Sequence, residues 1–522
     1  MIRIKEDRIQ FGLVFLLSVV VLTINLGQSP LFLEEPRRAL VAIEMLFSGN
    51  YWVPTIHGEL YLNKPPFYNW LIAAGFHLFG LHEWVPRGIS IISFLLMAIF
   101  MYGVSRKYLD ERTCLLASCL FLVSSDILFY FSFLGEIDLF FSLISFLSII
   151  LIYHFGEQKR FWLLFLSVYL LSAIGFLTKG LPSLLFPFFS LLGYFIWKKD
   201  VKRLFSIQHM AGILVLIAIA VGYFYQYNQY VDASDFIKNL WSESSNRTKE
   251  AGGIVEFLQQ LISFPFSFVL AMLPAGFLII FWRKDSFSKI KAQPFLFFCL
   301  LMLLVNLPVY WISTGTRTRY LYMFYPFATL ILTSLYYQFP SAGNRIIWFK
   351  KLIYGLSWVI LFVFLLGLLP FASIPKVFNL TGVLGISIIL GLVLIVAQSK
   401  RRWSKIYLLI LMLLVVRGVY GWALIESRVV NSNAAKDKAI AIEMAKQVGA
   451  EQVYILAPSK LSFTVSYYLQ QQLGVIVPYS NEIIANRYMI AESSLLSEEL
   501  VEKINSFEYQ GKTFLLFKAI ED

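Results

Sequence analysis

Between residues 11 and 424 the chain is built of continuous apolar runs of about 20 residues, separated by short polar connections. A helix of that length spans a hydrocarbon layer about 30 Å thick. Lipid offers no hydrogen bonds to the backbone, so a crossing segment must satisfy its own N–H and C=O groups. Helices and closed barrels do so. The runs do not alternate apolar and polar residues, which excludes barrel strands. Only 15% of the 522 residues are charged, against roughly a quarter in soluble proteins. The expected fold class is therefore an all-α polytopic membrane protein. Thirteen candidate spans fall near 11–27, 88–105, 112–131, 137–155, 161–178, 181–197, 209–228, 257–282, 294–313, 318–338, 350–371, 379–397 and 405–424. Cys114, Cys119 and Cys299 all sit inside these runs without metal-ligand spacing, and read as small apolar residues. MIRIKEDR with the run after it resembles a signal sequence. It lacks a small-x-small cleavage site and is expected to stay as the first helix.

The net charge of +12 is explained by loop positions rather than by nucleic acid binding. With the N-terminus cytoplasmic, the basic runs RKYLDER (106–112), WKKDVKR (197–203), WRKDSFSKIK (282–291) and SKRRWSK (399–405) all fall inside, as the positive-inside rule asks. An odd span count puts the C-terminus outside, in the periplasm of a Gram-negative cell. Against this bias stand Arg37, Arg38, Lys64, Arg87, Lys179, Lys238, Arg247, Lys249, Arg317, Arg319 and Lys376, in several loops of the outer face. Cations gathered against the bias call for an anion, and phosphate is the natural one.

Three regions follow from the pattern: a membrane domain over 1–428, a long outer loop over 28–87 within it, and a C-terminal α/β domain over 429–522. In the outer loop, EEPRRALVAIEMLFSG has helical periodicity, with Pro36 in its first turn and Gly49 as its stop. KPPFYNWLIAAGFHLFG is a second helix ending at Gly80. Both are amphipathic and are expected to lie along the membrane surface. Beyond residue 430, NAAKDKAIAIEMAKQV and KLSFTVSYYLQQQ read as helices, VYIL, GVIVPY and KTFLLFKAI as strands, and SSLLSEELVEKINSF as a capped helix.

LEEPRRALVAIEMLFSGNYWVPTIHGELYLNKPPFYNWLIAAGFHLFGLHEWVPR resembles the opening loop of the aminoarabinose transferase family, GT-C glycosyltransferases related to the protein O-mannosyltransferases. Glu34 falls on the family's Asp, Glu35 on its Glu, Arg37 on its Arg and Lys64 on the Lys of its E-K-P-P. GEIDLFFSLISF resembles the acidic motif of the fourth helix, with Asp138 on the key acid. FLTKGLPSLLFP resembles T-K-G, with Lys179 on the Lys. SESSNR resembles an E-H-x-x-R loop, with Arg247 on the Arg, and GTRTRYLYMFYPFATLIL aligns Tyr320 and Pro326. The resemblance covers about 340 residues in collinear order. It implies a GT-C fold of thirteen spans with a periplasmic C-terminal domain, and a polyprenyl-phosphate sugar as donor. It also implies lipid A or another surface glycan as acceptor. Departures are Glu34 for Asp, Arg38 for Tyr, Asn63 for the Glu of E-K-P-P and Ser244 for His. Asn and Ser are poor ligands, so no bound transition metal and no cofactor are expected.

Such a reaction needs cations where charge grows on the leaving phosphate, and a positioned acceptor. Arg37, Lys64, Lys179 and Arg247 are the candidate phosphate ligands. Glu34 is the candidate base and Asp138 the second acid; Glu35, Arg38, Tyr61, Asn63, Arg317, Arg319 and Tyr320 are further candidates for substrate contacts. Attack opposite the phosphate inverts the anomeric centre. Plainer readings exist: acids at a helix start act as caps and dipole partners, and arginines at the surface bind lipid head groups. Arg417 is expected as a structural ion-pair partner, and Asp126, without a family counterpart, turned toward a polar pocket or the outer interface. The rival functions are a transporter or flippase of lipid-linked sugars and a non-catalytic binder of them. A monomer in the bacterial inner membrane, without nucleic acid partners, is expected.

Overall fold

The computed structural model describes residues 2–249, 253–339, 343–366, 405–430, 432–496, 501–509 and 511–519. Helices overlie the expected spans, except that 379–397 and the end of 350–371 lie outside the described residues. Seven described helices are long and apolar enough to cross a membrane: Trp84–Ser105, Glu111–Phe129, Ile137–Glu157, Phe161–Lys179, Ile207–Asn228, Ile254–Ala271 and Pro294–Trp311. In Ile207–Asn228 and Ile254–Ala271 only 11% of the apolar stretch is buried. Such helices present their hydrocarbon outward, as a lipid solvent permits and water does not.

Several expected spans are interrupted. The run 112–131 divides into Glu111–Leu122 and Ser125–Phe129, and 318–338 into a 3₁₀ segment Thr318–Phe324 and the helix Tyr325–Tyr337. The run 257–282 likewise passes from helix Ile254–Ala271 to a 3₁₀ segment Ala275–Phe281. Two of these breaks are tied by a polar contact. Tyr322 donates its hydroxyl to Asp126 Oδ2 at 2.6 Å, which gives Asp126 the polar surroundings expected for it.

The chain forms two compact units. One holds residues 1–26, 87–222 and 240–424, and its core is a continuous apolar cluster rich in Phe, Leu and Ile. Arg417, 1% exposed, lies in this unit. Its Nε donates to the Leu128 carbonyl at 2.8 Å, and its guanidinium rests 3.4 Å from the Phe133 ring centre. A carbonyl, the Ser132 hydroxyl at 3.4 Å from Nη2 and a ring face thus surround the guanidinium expected as an ion-pair partner.

The other unit is assembled from residues 27–86, 223–239 and 425–522. Helix Glu35–Ser48 stops at Gly49, whose φ of +69° is the left-handed end that glycine adopts without strain. Most of this helix is buried, including Glu35, Arg38 and Glu44. Helix Phe67–Phe79 follows, after a two-stranded ribbon β1 (Thr55–Ile56) and β2 (Glu59–Leu60). The C-terminal segment supplies helices Asn433–Val448 and Phe463–Leu473, capped by Ser432 and Ser462. It also supplies β3 (Val453–Leu456), β4 (Tyr479–Ser480), β5 (Tyr488–Glu492), β6 (Val501–Tyr509) and β7 (Lys512–Ala519). These strands form one sheet in the order β4-β3-β5-β7-β6. β3 runs parallel to β4 and β5; β7 runs antiparallel to β5 and β6.

Two sequence expectations need correction. SSLLSEELVEKINSF carries a capped-helix signal, but Ser493–Leu495 is a 3₁₀ turn and Val501–Tyr509 is a strand; residues 497–500 lie outside the described residues. Apolar β7 offers an edge, and β6 pairs along it from Val501↔Ala519 to Tyr509↔Lys512. That ladder outweighs a local helix preference. GVIVPY was expected as a strand, yet only Tyr479–Ser480 is one. Gly474 ends the preceding helix, and Pro478 has no N–H to give a ladder.

Candidate functional site

Helices Ile137–Glu157 and Phe161–Lys179 are joined by a three-residue turn, so they run antiparallel. The first residues of one therefore lie beside the last residues of the other. Asp138 stands in the first turn and Lys179 in the last, each at the helix end whose partial charge favours it. Lys179 Nζ donates to Asp138 Oδ1 in a direct ion pair. Arg319, from the 3₁₀ segment Thr318–Phe324, completes the group: its Nη1 lies 2.5 Å from Glu136 Oε2, and its Nε lies 3.5 Å from Asp138 Oδ2. Aromatic faces close the cations in. Lys179 Nζ is 4.6 Å from the Phe141 ring centre and 5.0 Å from that of Tyr320, and the Arg319 guanidinium is 5.7 Å from Tyr320.

The four charged side chains are 5–15% exposed. At that depth charges are costly unless matched, and two acids facing two bases match them. Arg319 Nε is buried and makes no hydrogen bond among the described residues. An oxyanion placed here would find a lysine and a guanidinium with donors to offer, in competition with two carboxylates already present. Arg317 is exposed, so the two arginines of TRTR differ in kind.

In the second unit, Glu34 and Arg37 form an ion pair across one turn. The Arg37 guanidinium lies 5.6 Å from the Phe463 ring centre, and its buried Nε has no hydrogen-bond partner among the described residues. Glu35 is fully buried and its Oε2 accepts from the Phe32 N–H at 3.1 Å, so it fastens the turn before its helix. Arg38 donates from Nη1 to the Tyr61 hydroxyl at 2.6 Å, and its carbonyl accepts from Asn69 at 3.0 Å. Lys64, 8% exposed, donates to the Asn63 carbonyl at 3.1 Å. Asn63 is half-buried; it offers an amide where a carboxylate would serve a metal better. Arg247 belongs to the helix Ser234–Lys249, and its side chain and that of Ser244 lie outside the described residues.

The structure thus joins Asp138, Lys179 and Arg319 in one unit, and Glu34 with Arg37 in the other. It adds residues the sequence reading passed over. Glu136 was legible as a second acid two positions before Asp138, at the start of an apolar run. Glu44 gave no signal, being one acid on an apolar helix. It is fully buried: Oε1 accepts from the His57 N–H at 2.6 Å and Gln470 at 2.9 Å, and Oε2 from Thr55 at 2.7 Å and the Gly58 N–H at 3.2 Å. His57 is buried beside it. Its Nδ1 lies 2.7 Å from the Val477 carbonyl and its Nε2 2.8 Å from the Ser466 hydroxyl, which fixes Nδ1 as the protonated nitrogen.

Burial lowers the His57 pKa from its ordinary 6.5, against the pull of the Val477 carbonyl and Glu44. Protonation therefore favours the unfolded chain, so stability is full above pH 6.5 and falls as pH drops towards the folded value. Protection of the amides of residues 55–60 and 466–477, corrected for the intrinsic pH dependence of exchange, is expected to fall between pH 7.5 and pH 5 in the wild type. In His57→Gln it should change less over the same range.

The chain is similar to several known proteins. Residues 63–224 match the family model described as dolichyl-phosphate-mannose-protein mannosyltransferase. An undecaprenyl phosphate-α-4-amino-4-deoxy-L-arabinose arabinosyl transferase of Pseudomonas fluorescens is 26% identical over 344 residues, covering 63% of this chain and 61% of that one. The enzyme of the same description from Pseudomonas savastanoi is 30% identical over 191 residues, covering 36% and 35%. An uncharacterised protein of Aquifex aeolicus is 24% identical over 311 residues, covering 58% and 60%. The matched stretch thus spans about three fifths or less of each relative. Among solved structures, ArnT of Cupriavidus metallidurans bound to undecaprenyl phosphate superposes with a TM-score of 0.70 at 17% identity, over 97% of each chain. The chain therefore has the ArnT-like GT-C fold, a helical body with a small C-terminal sheet, and the resemblance read from its motifs stands.

Proposed function

We propose that this chain, with its ArnT-like GT-C fold, is an integral membrane glycosyltransferase. It would move a sugar from a polyprenyl-phosphate donor to a lipid A-like or other surface glycan acceptor on the outer face of a bacterial inner membrane. The observation that carries this reading is the buried Asp138–Lys179–Arg319–Glu136 group, at the ends of membrane helices. The relatives' names speak of undecaprenyl phosphate and a sugar for those proteins, and their fold and motifs support carrying that donor class here.

In the reaction the bond from the anomeric carbon to the phosphate oxygen breaks, and its electron pair stays on the phosphate. Lys179, Arg37, Lys64 and Arg247 are assigned to that growing charge. The acceptor oxygen bonds to the anomeric carbon from the opposite face, so the centre inverts. A hydroxyl acceptor passes its proton to Glu34, which leaves Arg37 to do so; Asp138 orients the acceptor or shares the task. A phosphate acceptor needs no base, and the acids then hold hydroxyl or amino groups of the sugar.

Purified full-length protein with undecaprenyl-phosphate sugars and lipid A tests the reading. Release of free undecaprenyl phosphate together with glycosylated acceptor is expected, and with a hydroxyl acceptor Glu34→Gln should lower it by about 10²-fold or more. A flippase or a binder would leave the donor intact, and that result overturns the proposal.

A further inference from the structure

A second charged site lies in the same unit as Asp138 but shares no residue with its cluster. After the 3₁₀ segment Ala275–Phe281, the chain leaves the apolar body through Trp282, Arg283, Lys284 and Asp285. These residues meet Arg345, in the first turn of helix Asn344–Leu366, around a cleft of about 690 Å³. The lining carries three cations, one indole and one carboxylate. That carboxylate is already engaged: Asp285 Oδ2 lies 2.9 Å from Lys289, and Oδ1 3.6 Å from Arg283 Nε. The cleft keeps a surplus of positive charge.

The cations are steered rather than left to wander. The Arg283 guanidinium lies 5.4 Å from the Phe339 ring centre, and Arg345 Nη1 reaches the Ile280 carbonyl at 3.4 Å. Large apolar side chains flank them in the open. Trp282 is 41% exposed and Trp348, three residues beyond Arg345 on the same helix, is 58% exposed. Exposed tryptophan at the end of a membrane-spanning segment marks the depth of the lipid head groups. At that depth the abundant anion is a lipid phosphate, and Arg and Lys hold phosphate oxygens by charge-assisted hydrogen bonds.

We infer that the cleft formed by Trp282, Arg283, Lys284 and Arg345 binds the phosphate of an anionic membrane lipid, with the acyl chains lying along the exposed apolar flank. The cleft adds a lipid site that the transfer reaction does not need. It would anchor the 282–293 connection to the bilayer.

Native mass spectrometry of the delipidated full chain in detergent tests this, with phosphatidylglycerol and phosphatidylcholine as probes and inorganic phosphate as competitor. Phosphatidylglycerol is expected to bind at least about tenfold more tightly than phosphatidylcholine. The variant R283Q/K284Q/R345Q should lose that preference, whereas K107Q/K199Q/K202Q, with the same loss of charge in other connections, should keep it. If the triple variant fails to fold, Lys284→Gln alone, on an exposed side chain, should weaken the preference severalfold. Equal binding of the two lipids overturns the inference, as does an equal loss in both triple variants. Displacement by inorganic phosphate at the lipid's own affinity overturns the lipid assignment, since the chains then contribute nothing.

Discussion

Asp138→Asn is expected to cut transfer by about 10²–10⁴-fold, the range over which a positioned acid or base contributes to a rate. The substitution keeps the shape of the side chain and removes its charge. Lys179 and Arg319 would then face Glu136 alone, in a site where the charged groups are 5–15% exposed. Breaking a buried ion pair from one side costs about 3–5 kcal/mol, because the partner stays buried and unmatched. A plain loss of activity could thus reflect either chemistry or folding. The double variant Asp138→Asn with Lys179→Met separates them. Removing both partners should restore much of the thermal stability lost by Asp138→Asn, while transfer stays near zero. The scheme fails if Asp138→Asn transfers within about threefold of wild type, or if activity returns along with stability.

Glu44→Ala is expected to be the most damaging single change in the second unit. Four donors, the His57 and Gly58 N–H groups, the Thr55 hydroxyl and the Gln470 amide, converge on this one carboxylate. Alanine leaves them all buried without their acceptor, at about 1–3 kcal/mol for each that water cannot reach. A loss of about 2–6 kcal/mol follows if half of them find water. Chemical denaturation or amide exchange of residues 55–60 and 466–470 would read it. Glu44→Gln should be milder, since one amide oxygen still accepts. Unchanged protection in Glu44→Ala would show that the carboxylate does not hold the ribbon to the C-terminal helix.

The parts of the fold set by solvent were legible in the sequence. Apolar runs fixed where helices lie, because lipid leaves the backbone no other way to bond. Gly49 and Gly80 marked where two helices of the outer loop end. Pairing was much less visible. Val501–Tyr509 reads locally as a helix and becomes a strand only because Lys512–Ala519 presents an edge. Of the candidate site, Asp138 and Lys179 could be placed by motif and by the antiparallel hairpin of helices. Glu136 and Arg319 lie 183 positions apart in the chain, and no local pattern encodes their contact. Glu44 was invisible for the opposite reason. A lone acid on an apolar helix looks like an exposed one until its partners, far along the chain, are in place.

The second unit draws on three stretches of sequence, 27–86, 223–239 and 425–522. During synthesis the first of these leaves the ribosome long before the last. Until the C-terminal hundred residues emerge, Glu44 lacks Gln470 and His57 lacks both Val477 and Ser466. The outer loop must therefore wait, incompletely sealed, for almost the whole chain to be made. A premature stop ahead of Ser466 would deprive the 55–60 ribbon of its closing partners, so a lesion far downstream decides whether an early segment is sound.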